Sequence, residues 1–114
     1  MTIRKFTLGA ISAAVIAVSP MSANAELVQL GFVLDSSGSV TSSGWTTIKN
    51  GLASAMDLLL TGADTYEVTV VSFSNTAQTV LAPTIVNAGN LAAVKATITG
   101  AAFLNSTTNF AAAF

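Results

Sequence analysis

Hydrophobic and polar positions follow two different patterns along the chain, and the first pattern predicts three strands. Apolar β-branched and aromatic residues are concentrated in 28–34 and 67–74, as in strands that lie buried in a sheet. A turn at 74–76 leads into 77–81, which is short enough to pair back on the preceding strand in the antiparallel direction. Pro83 is expected to end this third strand, because proline in sheets is confined to edges and ends.

The second pattern has helical periodicity and predicts a first helix between the first two strands. Apolar residues recur there every three or four positions, at Trp45, Ile48, Leu52, Met56 and Leu59. Ser42 or Ser43 can cap the start of this helix, and Gly62 is a natural stop. The periodicity makes Trp45 a core or rim residue rather than a ligand-facing aromatic.

A second helix is expected over 90–98, with Asn90 as its cap and Gly100 after its end. The order of elements is therefore strand, helix, strand, short antiparallel strand, helix. This order is typical of a doubly wound, Rossmann-like α/β fold, with a mostly parallel sheet and one antiparallel edge strand.

The beginning of the chain has the layout of a signal peptide. A short basic head precedes the apolar run 8–18, which is too short to span a bilayer, and Ala23-Asn24-Ala25 matches a signal-peptidase site. We expect a cleaved signal peptide over 1–25 and one exported domain over 26–114. The mature protein would then be secreted, periplasmic or held at the cell surface, with no transmembrane span.

Charge and cysteine content narrow the possible partners. Without Arg4 and Lys5, two lysines face five carboxylates, which makes the net charge of the predicted mature chain minus three. Nucleic acids and anionic membranes require basic patches, so neither is an expected partner. The chain has no cysteine, so disulfides cannot contribute, and its stability must come from packing or from packing together with a bound ion.

The first predicted strand ends in a carboxylate followed by alternating hydroxyls. Asp35, Ser37 and Ser39 are spaced by two, so a tight loop could turn their oxygens toward one point, and Gly38 would let the backbone fold closely around it. Oxygen ligands of this kind suit a hard cation such as Mg²⁺. The alternative is that these residues only cap the helix and form a turn, which is common for aspartate, serine and glycine.

The composition argues against an enzyme. The chain has no histidine, so neither Ser37 nor Ser39 has the usual base that activates a nucleophilic serine. A magnesium-dependent phosphotransferase with Asp35 as nucleophile is the better enzymatic alternative. Such sites gather several carboxylates, whereas Asp35 is the only carboxylate close to this loop in the sequence.

A polar stretch near the end, 105–109, can cap a last helix. Asn105-Ser106-Thr107 in it also matches a glycosylation acceptor, which matters only in a eukaryotic secretory pathway.

Taken in order, these segments resemble a von Willebrand factor type A (VWA) domain. Residues 32–40 match the family's strand and D-x-S-x-S signature, and 70–74 resemble its second strand. Residues 77–81 resemble its reversed edge strand, and 106–114 align with its G-G-T-x-T-x-x-A-L stretch. The resemblance covers almost all of the predicted mature chain.

The resemblance implies a metal-ion-dependent adhesion site (MIDAS) formed by Asp35, Ser37, Ser39 and Thr108. Its ion would be Mg²⁺, or Mn²⁺ or Ca²⁺, and would complete its coordination with an acidic group of a protein or glycan partner. Adhesion or ligand binding, without catalysis, is the implied function. A structural or scaffold domain with an ion loop that binds no partner is the alternative.

The chain departs from the family pattern at three positions and at its end. Ser106 and Thr107 replace the paired glycines, which leaves Thr107 as an alternative to Thr108, and Phe110 replaces a second threonine. The family continues with another central strand that ends in an aspartate, whereas this sequence ends at Phe114. We therefore expect an incomplete VWA domain over 26–114 in which the first strand has an open edge.

Overall fold

A computed structural model describes residues 25–114 of the chain, so the signal peptide predicted over 1–25 lies, apart from Ala25, outside the described residues. The strands are β1 (Leu27–Asp35), β2 (Thr65–Phe73) and β3 (Ala77–Val86). The helices are α1 (Thr41–Met56), α2 (Leu91–Thr99) and the short α3 (Phe110–Ala113). Single 3-10 turns precede and follow α1, at Gly38–Val40 and Asp57–Leu60.

The strands form one mixed sheet in the order β1-β2-β3. β1 and β2 are parallel, and their register runs without interruption from Leu27 opposite Thr65 to Asp35 opposite Phe73. β3 is antiparallel to β2 and forms an edge of the sheet. The predicted α/β fold class, with one antiparallel edge strand, is confirmed.

The hydrophobic core lies between one face of this sheet and the helices α1 and α2. Its buried members are Leu52, Ala53, Met56, Val68, Val70, Leu81, Val86, Val94 and Ile98. Trp45 is also buried, with 2% of its surface exposed, so the prediction that it is a core or rim residue is confirmed. The helical periodicity of α1 thus identified the face that packs against the sheet.

The opposite face of the sheet is only partly covered within residues 25–114. Leu27, Val33 and Ile85 lie on this face and are exposed. The short helix α3 covers part of it, since the ring of Phe110 packs against that of Phe73 with 5.6 Å between centroids. Within residues 25–114, none of the helices combines the length and the hydropathy that a membrane span requires.

The prediction that Pro83 ends the third strand was wrong, because β3 continues to Val86. Ala82 and Pro83 together stand opposite the single residue Thr69 of β2, which makes a β-bulge. A bulged residue on an edge strand does not need to donate a ladder hydrogen bond, so proline is tolerated there.

The start of α1 also differs from the prediction that Ser42 or Ser43 caps it. Thr41 takes this role, since its hydroxyl accepts a hydrogen bond from the amide of Gly44 at 3.2 Å. Thr41 has a positive φ of 69°, which is unusual for a β-branched residue. The helix therefore begins directly after the 3-10 turn that follows the Asp35 loop, and it ends before Gly62, in the second 3-10 turn.

Asn90 occupies the predicted cap position of α2, but its side chain bonds elsewhere. Its Oδ1 accepts from the amide of Asn87 at 2.8 Å, and its Nδ2 donates to the carbonyl of Ile85 at 2.8 Å. The side chain therefore ties α2 to the end of β3. Gly100 follows the helix as predicted.

Truncating a core residue tests this packing. We expect Ile98→Ala to lower the free energy of unfolding by about 2–5 kcal/mol, because the fully buried side chain leaves a cavity. Leu58→Ala is the matched control and should change it by less than about 0.5 kcal/mol, since exposed sites tolerate substitution. Leu58 has 68% of its surface exposed. Urea unfolding followed by the fluorescence of the single tryptophan measures both, and equal losses would contradict the described core.

Candidate metal centre

The candidate centre begins where β1 ends. Because β1 and β2 are parallel, their carboxyl ends lie side by side, with Asp35 opposite Phe73. The amide of Ser36 continues this pairing and donates to the carbonyl of Phe73 at 2.8 Å. One carboxylate oxygen of Asp35 accepts a hydrogen bond from the amide of Ser37 at 2.9 Å. The carboxylate is thereby held against the loop that carries the alternating serines.

Ser37 is buried, and its hydroxyl oxygen has no hydrogen-bond partner within residues 25–114. A buried polar atom without a partner costs about 1–3 kcal/mol, so such atoms are rare in folded proteins and need an explanation. A cation held beside Asp35 would accept this oxygen as a ligand. The unpaired hydroxyl is therefore consistent with an ion-binding loop, and the simple capping alternative does not account for it.

Ser39 lies in the 3-10 turn between this loop and α1 and is exposed. The turn is closed by a hydrogen bond from the amide of Val40 to the carbonyl of Ser37 at 3.0 Å. Ser37 and Ser39 thus belong to one tight turn that leads directly into α1.

A second segment, 104–109, lies along the loop. The amide of Gly38 donates to the carbonyl of Ser106, and the amide of Asn105 donates to the carbonyl of Ser36, both at 2.9 Å. Ser37 and Ser106 form an isolated parallel bridge. The structure thereby brings the segment that contains Thr107 and Thr108 beside the Asp35 loop.

Two fully buried serines attach this segment to the ends of the strands. The hydroxyl of Ser36 accepts from the amide of Leu104 at 2.8 Å, across 68 positions of sequence. The hydroxyl of Ser74 accepts from the amide of Ser106 at 3.1 Å and donates to the carbonyl of Thr107 at 2.9 Å. Neither serine was predicted from the sequence to be part of the site. Their signal was a hydroxyl placed just after each hydrophobic strand.

Thr108 lies between two residues that are both bonded to Ser74. The hydroxyl of Ser74 donates to the carbonyl of Thr107, and the carbonyl of Ser74 accepts from the amide of Asn109 at 2.8 Å. Asn109 also caps α3, since its side chain accepts from the amide of Ala111 at 3.1 Å. Thr107 and Thr108 are both exposed, so the choice of Thr108 as the ion-site threonine stays a prediction.

Gly38 permits the close approach of the two segments. A Cβ at this position would lie 3.1 Å from the side-chain oxygen of Asn105 and 3.7 Å from the carbonyl of Ser106. Asn105 adopts a left-handed conformation, with a φ of 51°, which asparagine tolerates better than most residues. The glycine is therefore explained by the crowding between segments.

The donor set of the site contains few charges. Within the described residues, no three histidine, cysteine, aspartate or glutamate side chains come close enough to hold a metal ion by themselves. Any cation here would depend on Asp35 and on hydroxyl oxygens, which suits a hard ion such as Mg²⁺. One carboxylate neutralises only part of the charge of a divalent ion. The remaining charge could attract an acidic group.

The sequence matches the family model of the von Willebrand factor type A domain over residues 5–114. No curated protein sequence matches the chain.

Solved structures of a mussel protein share the fold. Crystal form 2 of proximal thread matrix protein 1 from the mussel byssus is 20% identical, with a TM-score of 0.60. A structure of the same protein with a zinc-occupied MIDAS motif is 21% identical, with a TM-score of 0.61. Each comparison covers 75% of this chain and 22% of the mussel chain, so the present chain spans about a fifth of that protein's length.

The neighbouring serines Ser36 and Ser37 provide a matched test of the site geometry. In metal-free protein, Ser36→Ala should lower the free energy of unfolding by about 1–3 kcal/mol, because it leaves the amide of the partly buried Leu104 without its acceptor. Ser37→Ala removes a hydroxyl that has no partner in the described structure, so it should leave stability unchanged or raise it. Urea unfolding in EDTA measures both variants. Equal losses would contradict the described hydrogen bonding.

Proposed function

The chain belongs to the von Willebrand factor type A domain family, and on this premise we propose that it is an exported, cation-dependent binding module. A divalent cation would be bound by the Asp35 loop and would complete its coordination with an acidic group of a protein or glycan partner. The buried, unpaired hydroxyl of Ser37 beside Asp35 is the observation that carries this proposal.

We propose Asp35, Ser37, Ser39 and Thr108 as the residues that hold the ion. All four offer oxygen, and the whole chain contains neither cysteine nor histidine, the residues that most often bind zinc. Mg²⁺ is therefore the proposed ion, with Mn²⁺ or Ca²⁺ as substitutes. The mussel protein supports cation binding by this fold, since one of its structures is described as having zinc in the MIDAS motif.

The charge of the domain explains why a cation would be needed for binding. The predicted mature chain has five acidic residues and two lysines, so an acidic partner would be repelled on average. Both lysines are engaged away from the loop: Lys49 donates to the carbonyl of Ala101, and Lys95 pairs with Asp57. A bound cation would supply the positive charge that the protein surface lacks there.

We propose binding rather than catalysis. The chain has no histidine, and the two lysines that could serve as bases are held by the contacts just described. Asp35 is the single acidic residue in the two segments of the site, 35–39 and 104–109, whereas phosphotransferases with an aspartyl nucleophile gather several carboxylates. The scaffold alternative differs in one respect: its ion would take no ligand from a partner.

Calorimetric titration with Mg²⁺ tests the ion site. We expect saturable binding that Asp35→Asn weakens by more than about tenfold, because losing a direct ligand should cost at least as much as losing an outer-shell partner. Asp57→Asn removes an equal charge from the exposed ion pair with Lys95 and should leave the affinity unchanged. A folded protein that binds no Mg²⁺, or two variants with equal affinity, would contradict the proposed site.

A carboxylated surface tests the partner class. On carboxymethyl-dextran we expect Mg²⁺-dependent retention that EDTA and Asp35→Asn both abolish, since the surface carboxylates would complete the ion's coordination. Uncoated dextran is the control and should retain nothing. Ion binding without any Mg²⁺-dependent retention would favour the scaffold alternative.

A further inference from the structure

Two side chains of α1 bind the same carbonyl at the end of α2. The indole nitrogen of Trp45 donates to the carbonyl oxygen of Ala101 at 3.1 Å, and the ammonium of Lys49 donates to it at 3.0 Å. The ammonium also lies 5.9 Å from the centroid of the Trp45 ring. A carbonyl oxygen has two lone pairs, so these two donors use its full capacity. We call this arrangement the Ala101 clamp.

The clamp acts on the beginning of the segment that completes the candidate metal centre. Ala101 follows the last turn of α2, and two residues later the ring of Phe103 stacks on Trp45 with 6.2 Å between centroids. The next residue, Leu104, donates its amide to the buried hydroxyl of Ser36. The contacts with α1 therefore end where the contacts with the Asp35 loop begin.

The position of Lys49 is not that of an ordinary surface lysine. Its side chain is half-buried, and the ion pair found within the described residues joins Lys95 to Asp57 instead. The last carbonyls of a helix carry partial negative charge, and a cation held just beyond the helix end, as Lys49 is beside Ala101, is stabilised by it. A charged donor also makes a stronger hydrogen bond than a neutral one. Lys49 is thus suited to hold the chain where it leaves α2.

The helix α1 connects this clamp to the ion loop. It begins immediately after the 3-10 turn that contains Ser39, and Trp45 and Lys49 lie one to two helical turns further along. The loop and the clamp are therefore attached to one rigid element. Shifting the carbonyl of Ala101 relative to α1 would shift 104–109 relative to the loop.

We propose that Lys49, together with Trp45, is a positioning residue for cation binding. The clamp holds 101–109, the segment that contains Thr108 and contacts the Asp35 loop through Asn105 and Ser106. This inference rests on the proposed function of that loop as an ion site. Lys49 itself touches no ion and acts through the backbone of the segment.

Titration of three lysine variants with Mg²⁺ tests the proposal. Lys49→Met keeps most of the apolar stem but removes the hydrogen-bond donor. It should weaken the affinity for Mg²⁺ by about tenfold, which is the lower end of the range for losing an outer-shell hydrogen bond of a metal site. Lys49→Arg restores a charged donor and should recover most of the affinity. Lys95→Met removes the same charge from an exposed ion pair and should bind as the wild type does.

Amide hydrogen exchange gives a second measurement that does not depend on the ion. In metal-free Lys49→Met, the amides of Leu104 and Asn105 should lose protection, because both donate to Ser36 from the segment that the clamp holds. The amide of Val70, in the central strand, should keep its protection. A general loss of stability would instead lower protection at all three amides.

The outcomes separate this inference from the proposed function. If the wild type binds Mg²⁺ and Lys49→Met binds it equally well, the positioning role is overturned and the ion site stands. If Leu104 and Asn105 exchange as in the wild type, the clamp does not hold the segment, and the inference is overturned whatever the ion does. If the wild type binds no Mg²⁺, the proposed function fails first, and the positioning role for ion binding fails with it.

Discussion

The hydrogen bonds of Ser36 and Ser74 join the carboxyl ends of two parallel strands to the segment 104–109. Ser36 accepts from Leu104, 68 positions later in the chain, and Ser74 accepts from Ser106, 32 positions later. Both serines are fully buried in the folded structure, so losing the partner of either hydroxyl would leave a buried polar atom unsatisfied. The candidate metal centre depends on these bonds because its proposed donors come from both sides. Without them, Asp35 and Thr108 would belong to separate loops.

The helix α1 makes this arrangement rigid. Its apolar face packs into the core through residues such as Leu52 and Met56, while its first turn continues from the ion loop. The same helix holds the carbonyl of Ala101 through Trp45 and Lys49. The helix α1 therefore couples the core packing, the geometry of the Asp35 loop and the path of 101–109. A change at the Ala101 clamp should alter how 104–109 is placed against the loop.

Within the described residues, the buried side-chain polar atoms of the site have hydrogen-bond partners, with one informative exception. Ser36, Ser74 and Asn109 all have partners, whereas the buried hydroxyl of Ser37 has none within the described residues. Natural proteins tend to keep such locally unfavourable features where function requires them. If this loop binds a cation as proposed, the ion would give the unpaired hydroxyl a partner beside the carboxylate, and the protein would gain stability on binding.

The amino-acid sequence by itself determined the order of strands and helices, the buried face of α1 and the Asp35 loop, because these depend on local periodicity and spacing. The bulge at Pro83, the cap at Thr41 and the roles of Ser36, Ser74 and Lys49 were decided only by the tertiary structure. Each requires a partner that lies on another element or a competition between neighbouring hydroxyls. A local sequence pattern carries no information about which distant backbone group a buried side chain will contact. The candidate donors of the site could therefore be proposed from the sequence, whereas the hydrogen bonds that hold the two segments together could not.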